Sequence, residues 1–103
     1  MGKNKTIKTL GKRIGNIVLH KLLVKYTNKP ESRGHLQSEE GVYRDQAIKD
    51  ARKYNWNEKD KQALKILAIA FVKEKKDKKY PDVIFPLSEP ERLAEEEIIG
   101  LKL

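Results

Sequence analysis

Residues Asn57 to Lys79, NEKDKQALKILAIAFVKEKKDKK, constrain the fold more than any other stretch of this chain. Ala63 to Val72 is apolar at every position except Lys65, and both flanks are densely charged. A helix that is apolar nearly all round belongs at the centre of a domain, with other elements packed on several sides. Asn57 suits the N-cap, with Asp60 at the N3 position. The lysines from Lys73 to Lys79 crowd the negative end of the helix dipole, and Tyr80–Pro81 stops the helix.

The other segments supply helices to surround it. Ser38 is placed to cap a helix from Glu39 to about Tyr54, with Tyr43, Ala47, Ile48, Ala51 and Tyr54 facing inward. Asp82 to Leu87 is a short extended connector. Ser88 with Glu91 three residues on is a capping box, and Pro90 is tolerated in a first turn. A last helix then runs to about Ile99, with Leu93, Ala94 and Ile98 inward and Glu95 to Glu97 mostly outward. Thr27 to Gln37, TNKPESRGHLQ, lacks periodicity and reads as a loop.

The N-terminal segment changes character along its length. Ile7, Leu10 and Ile14 share one helical face and Lys5, Lys8 and Lys12 line the opposite one. Gly11 and Gly15 each weaken such a helix by up to about 1 kcal/mol relative to alanine. Beyond Asn16 the apolar face rotates to Leu19, Leu22, Leu23 and Tyr26. Either the helix breaks near Gly15–Asn16, or one helix is contacted on two sides. The expected fold is all-α: a small bundle of four to five helices around a central apolar helix at 57–79, without significant sheet. A single domain spans 1–103, with residues 1–15 a basic helix or partly flexible arm.

Composition narrows the chemistry. The chain has 103 residues and no cysteine, which excludes disulfides, thiolate metal sites and cysteine nucleophiles. The longest apolar run, Ile66 to Val72, falls far short of the roughly 20 residues of a membrane span. No signal-peptide pattern follows the N-terminal lysines, so a cytoplasmic location is expected. The formal net charge is +8, and its distribution is more informative than its size. Residues 1–30 carry eight cations and no acid, whereas the remaining cations and acids cancel.

Such asymmetry is the pattern of an arm that binds nucleic acid or another acidic surface. The expected activity is therefore non-enzymatic binding of nucleic acid, RNA slightly ahead of DNA, mainly through phosphates. The candidate contacts are Lys3, Lys5, Lys8, Lys12, Arg13, Lys21, Lys25, Lys29, Arg33 and His35. Lysine outnumbers arginine, which favours backbone contact over base reading. The alternative is a protein-interaction module or complex subunit that uses its basic N-terminus and its acidic C-terminal helix. A blander possibility is that the basic segment pairs internally with that acidic C-terminus.

Other sites fare worse. A helix-turn-helix over 39–79 would put an apolar helix in the groove, with only Glu58 to Lys61 reaching bases. Ser32 with His35 lacks a third group to orient the base. His20 and His35 have no ligand spacing for a metal, so no metal or cofactor is expected and His20 reads as structural. Tyr43 and Tyr54 read as core, leaving Trp56 the aromatic most open to base stacking.

Overall fold

A computed structural model describes residues 2–26, 33–81, 83–86, 88–101 and 103, with the side chains of 2 and 33–40 outside the description. Four helices follow one another: α1 (Gly2–Tyr26), α2 (Arg33–Ala51), α3 (Glu58–Lys79) and α4 (Ser88–Gly100). The fold is an all-helical bundle, with no strand among the described residues.

The basic N-terminal segment is one unbroken helix of 25 residues, contacted on several sides. It packs against α2, α3 and α4, and α3 also packs against α4. Five of the seven largest fully buried side chains, Leu10, Ile14, Ile17, Val18 and Leu22, belong to α1, against Leu64 and Val72 from α3. The rotation of the apolar face at Asn16 thus marks where α1 passes from partly exposed to enclosed. α1 contributes most of the largest fully buried side chains and packs on all three other helices, while α3 packs on α1 and α4. In α3 only Leu64, Ala68 and Val72 are buried, while Ile66 is 65% exposed and Ala70 is also exposed. The apolar run there is rich in alanine, which favours helix as readily at a surface as in a core.

Gly11 and Gly15 explain how α1 and α3 fit. A Cβ on Gly11 would lie 2.7 Å from Cβ of Leu67, and one on Gly15 would lie 2.8 Å from both Cβ and Cδ1 of Phe71. The two helices therefore touch backbone to side chain, at a spacing that glycine alone permits. The order of the contacts, Gly11 to Leu67 and Gly15 to Phe71, makes α1 and α3 parallel. On another side, Arg13 meets Asp50 and His20 meets Tyr43, so α1 and α2 are antiparallel.

Element ends follow local chemistry. Asn57 caps α3 as expected: its side chain accepts from the Asp60 N–H at 2.8 Å, and Asp60 accepts from the Asn57 N–H at 3.2 Å. The Tyr80 N–H closes the other end on Lys76 O at 2.8 Å. α2 departs from expectation at both ends. It begins at Arg33, so 33–37 is helical rather than loop and Ser38 lies inside the helix. Position 36 stands seven and eleven residues before Tyr43 and Ala47, which continues the same helical face. α2 also stops at Ala51, before Tyr54, because the Trp56 indole N–H donates to the Ala51 carbonyl at 2.8 Å. Ser88 is the first residue of α4 rather than the one before it. Between α3 and α4, Phe85 packs on Tyr26 with ring centres 6.1 Å apart.

Glycine-to-alanine changes should therefore split by position. Gly41, mid-α2, has nothing near its absent Cβ, so Gly41→Ala should stabilise by about 0.5–1 kcal/mol through helix propensity. Gly11→Ala and Gly15→Ala gain the same propensity, but overpacking costs typically about 1–3 kcal/mol. Urea denaturation should show a net loss for both and a larger loss for Gly15→Val.

Candidate nucleic-acid interface

The ten candidate contacts do not form one surface. Lys5, Lys8 and Lys12 stand on the solvent side of α1, all exposed, and their ammonium groups make no ion pair among the described residues. Spaced three and four residues apart, they form one row along the helix. Glu74 of α3 feels Lys12 of this row but is bonded first to Lys78, at 3.0 Å.

The other described candidates are engaged inside the molecule. Lys3 pairs with Asp60 at 2.7 Å and its ammonium lies 5.7 Å from the Trp56 ring centre. Arg13 pairs with Asp50 at 2.8 Å and donates to Gln46. Its Nε and the facing Asp50 oxygen are close but poorly aligned for a hydrogen bond. Lys25 pairs with Glu89 at 3.5 Å. Lys21 pairs with Glu97, which also receives Arg44 at 2.9 Å. Lys29 lies outside the described residues. Arg33 and His35 are on the first turns of α2, with side chains outside the description.

Glu97 is the acid that sequence reasoning placed mostly outward, yet it is buried. A buried carboxylate needs cations and donors around it, because removal from water penalises charge. Lys21 from α1 and Arg44 from α2 meet that need and tie α4 to both helices. Glu91 and Glu95 reach Lys65 of α3 at 3.2 and 4.0 Å, so the lone polar residue of the apolar run serves as a tie to α4. Glu96 receives Arg92 at 2.7 Å. The acidic C-terminal helix is thus largely neutralised by partners within the fold.

Two carboxylates show the effect in their acidity. Asp60 is held below its ordinary value by the Lys3 ammonium and then by the Asn57 N–H. Glu89 is held below its ordinary value by Arg92, which spans it and Glu96, with Lys25 adding less.

The aromatic residues have structural partners. His20 is buried, its Nδ1 2.7 Å from the Asn16 carbonyl and its ring centre 5.2 Å from that of Tyr43. That geometry makes Nδ1 the donor. Trp56 caps α2 and meets Tyr54 edge-on at 6.0 Å. Tyr54 itself is exposed rather than core. Among the described residues no group of three or more His, Asp or Glu is placed to hold a metal, and no helix is long and apolar enough to cross a membrane.

A groove of about 530 Å³ runs between α1 and α3, lined by Asn4, Ile7, Lys8, Lys59, Asp60, Ala63 and Leu67. Sequence reasoning missed Lys59. Its place in the same groove as Lys8 follows from the parallel docking of α1 on α3, and the only hint of that docking was the Gly11–Gly15 spacing. No family model matches the chain, and no match is found among curated proteins or solved structures.

Two outcomes follow from these pairs. Asp60, with its depressed value, stabilises the fold above the ordinary carboxylate range and loses that contribution as pH falls through the depressed value. Asp60→Asn keeps the capping acceptor but removes the charge facing Lys3. Thermal melts should place this variant below wild type at pH 7, with the gap closing below pH 3.8. Glu97→Ala should cost about 2 kcal/mol, less than a fully buried pair because Lys21 and Arg44 are partly exposed. Chemical denaturation of Glu97→Ala, alone and with Lys21→Met, would measure the coupling.

Proposed function

We propose that this protein binds nucleic acid without enzymatic action, through phosphate contacts made by Lys5, Lys8 and Lys12, with RNA ahead of duplex DNA. The observation that carries the reading is the division of charge along α1. Lys3, Arg13, Lys21 and Lys25 face carboxylates at 3.5 Å or less, whereas Lys5, Lys8 and Lys12 form an exposed row that faces none within ion-pair distance. Cations left to water carry counterion-exchange capacity that internally paired cations have already given up. The row is short, about 10 Å from Lys5 to Lys12 at 1.5 Å per residue, and one row follows one strand more readily than it spans a duplex.

The reading of the chain as a protein-interaction module draws instead on exposed Ile66, Ile84 and Ile99. It receives less from the acidic C-terminal helix, since Glu89 and Glu97 already hold Lys25 and Lys21.

A salt series with a mixed-sequence RNA and a duplex DNA tests the proposal. The variant Lys5→Gln/Lys8→Gln/Lys12→Gln should lower the log–log salt slope by about 0.7 per lysine on single strands and about 0.9 on duplex. Lys78→Gln, on the far end of α3, should leave the slope unchanged. Absence of wild-type binding near 50 mM salt would refute the proposal and turn attention to the exposed isoleucines.

A further inference from the structure

We propose that the groove between α1 and α3 is a seat for single-stranded nucleic acid, taking an unstacked base on its floor while Lys8 and Lys59 hold the adjoining phosphates. The inference rests on the nucleic-acid reading above and extends it from a row of charges to a shaped site. The groove has two distinct zones. Its floor is aliphatic, formed by half-buried Ile7, Ala63 and Leu67. Its rims are basic and come from different helices, with exposed Lys8 on α1 and exposed Lys59 on α3. Asn4 stands at one end, and its amide can both donate to and accept from a base edge.

The apolar floor favours a single strand over a duplex. Duplex bases are stacked internally, so an apolar floor gains nothing from them, whereas a single strand can turn a base out to cover it. The gain on an aliphatic floor comes from apolar area removed from water and so carries little preference among bases. The volume, about 530 Å³, lies in the range of sites that bury small ligands. The one acid in the groove is Asp60, and its charge is met by Lys3 at 2.7 Å and by the Asn57 N–H at 3.2 Å. Its repulsion of a phosphate is correspondingly weakened. Lys5 and Lys12 extend the cationic track along α1 on either side of Lys8, so a strand seated at the groove continues onto the exposed row.

The test uses the full chain, a dye-labelled 12-nucleotide RNA, the corresponding 12-base-pair duplex and free uridine monophosphate, with fluorescence anisotropy at 50 mM salt. Wild type should favour the single strand. Ala63→Leu, which fills the floor without adding an aromatic ring, and Lys59→Gln, which removes one rim charge, should each weaken single-strand binding by about tenfold while leaving duplex binding within about twofold. If Ala63→Leu unfolds the bundle by circular dichroism, Lys59→Gln decides alone. If the variants weaken both nucleic acids equally, or neither, the groove is not the seat and only the phosphate row remains. Uridine monophosphate that competes as well as the 12-mer would reassign the groove to a mononucleotide and overturn the proposal. Loss of all wild-type binding would remove the underlying reading along with it.

Discussion

The close approach of α1 to α3 at Gly11 and Gly15 is the contact on which the remaining arrangement depends. Bare backbone at these two positions lets Leu67 and Phe71 sit directly on α1. Two consequences follow. The helices lie parallel, so residues 3–8 of α1 come beside residues 59–67 of α3, the juxtaposition that makes the Lys3–Asp60 pair and the groove. The contact also fixes the rotation of α1 about its axis. With Gly11 and Gly15 against α3 and Arg13 against α2, the row at 5, 8 and 12 is the side left to water.

Charge in this protein is arranged by topology more than by sequence position. The first 30 residues carry no acid, yet α1 is met by a carboxylate from every other helix: Asp50 from α2, Asp60 from α3, and Glu89 and Glu97 from α4. The acids are distant in sequence and adjacent in space. Most of these pairs are partly exposed and contribute little stability one by one. Their effect is on orientation, because each ties α1 to a specific neighbour, and a misdocked α1 would take one of two cations from Glu97, which keeps Arg44, and from Asp50, which keeps Lys53. What remains after this internal matching is a smaller positive surface than the net charge of +8 suggests.

Local features were legible in the sequence, and relations between elements were not. The Asn57–Asp60 capping box and the stop at Tyr80 could be read directly, because capping acts over three or four residues. The rotation of the apolar face at Asn16 left open a break or one helix contacted on two sides, and only the structure decides for the unbroken helix. The degree of burial was misjudged in the apolar run: Ala63 to Val72 looks as apolar as a core helix, yet Ile66 and Ala70 face outward. Position 36 belonged to the pattern of α2, but the polar residues around it concealed the helix start. The α2 end was set by Trp56, a side chain beyond the helix, through a bond no periodicity reveals. In the candidate site, the row at Lys5, Lys8 and Lys12 was visible as a helical face, while the place of Lys59 and the burial of Glu97 could be decided only by knowing which helices meet.

α1 must serve as both core and interface, and the two roles limit each other. The exposed row cannot continue past Lys12, because the next positions on that side are half-buried Asn16 and then buried Leu19 and Leu23. A longer cationic face on α1 would require placing lysines where the bundle closes, at the cost of the apolar burial that holds it. The row is therefore confined to about two helical turns, too few for tight binding through phosphates alone. Further affinity has to come from a neighbouring element, and the parallel packing makes α3 the element available at that end. Lys59 sits beside the α3 cap and lines the same groove as Lys8, with Ile7, Ala63 and Leu67 as its apolar lining. The glycines that draw the two helices together thus also bring a second helix to the edge of the one surface α1 leaves open.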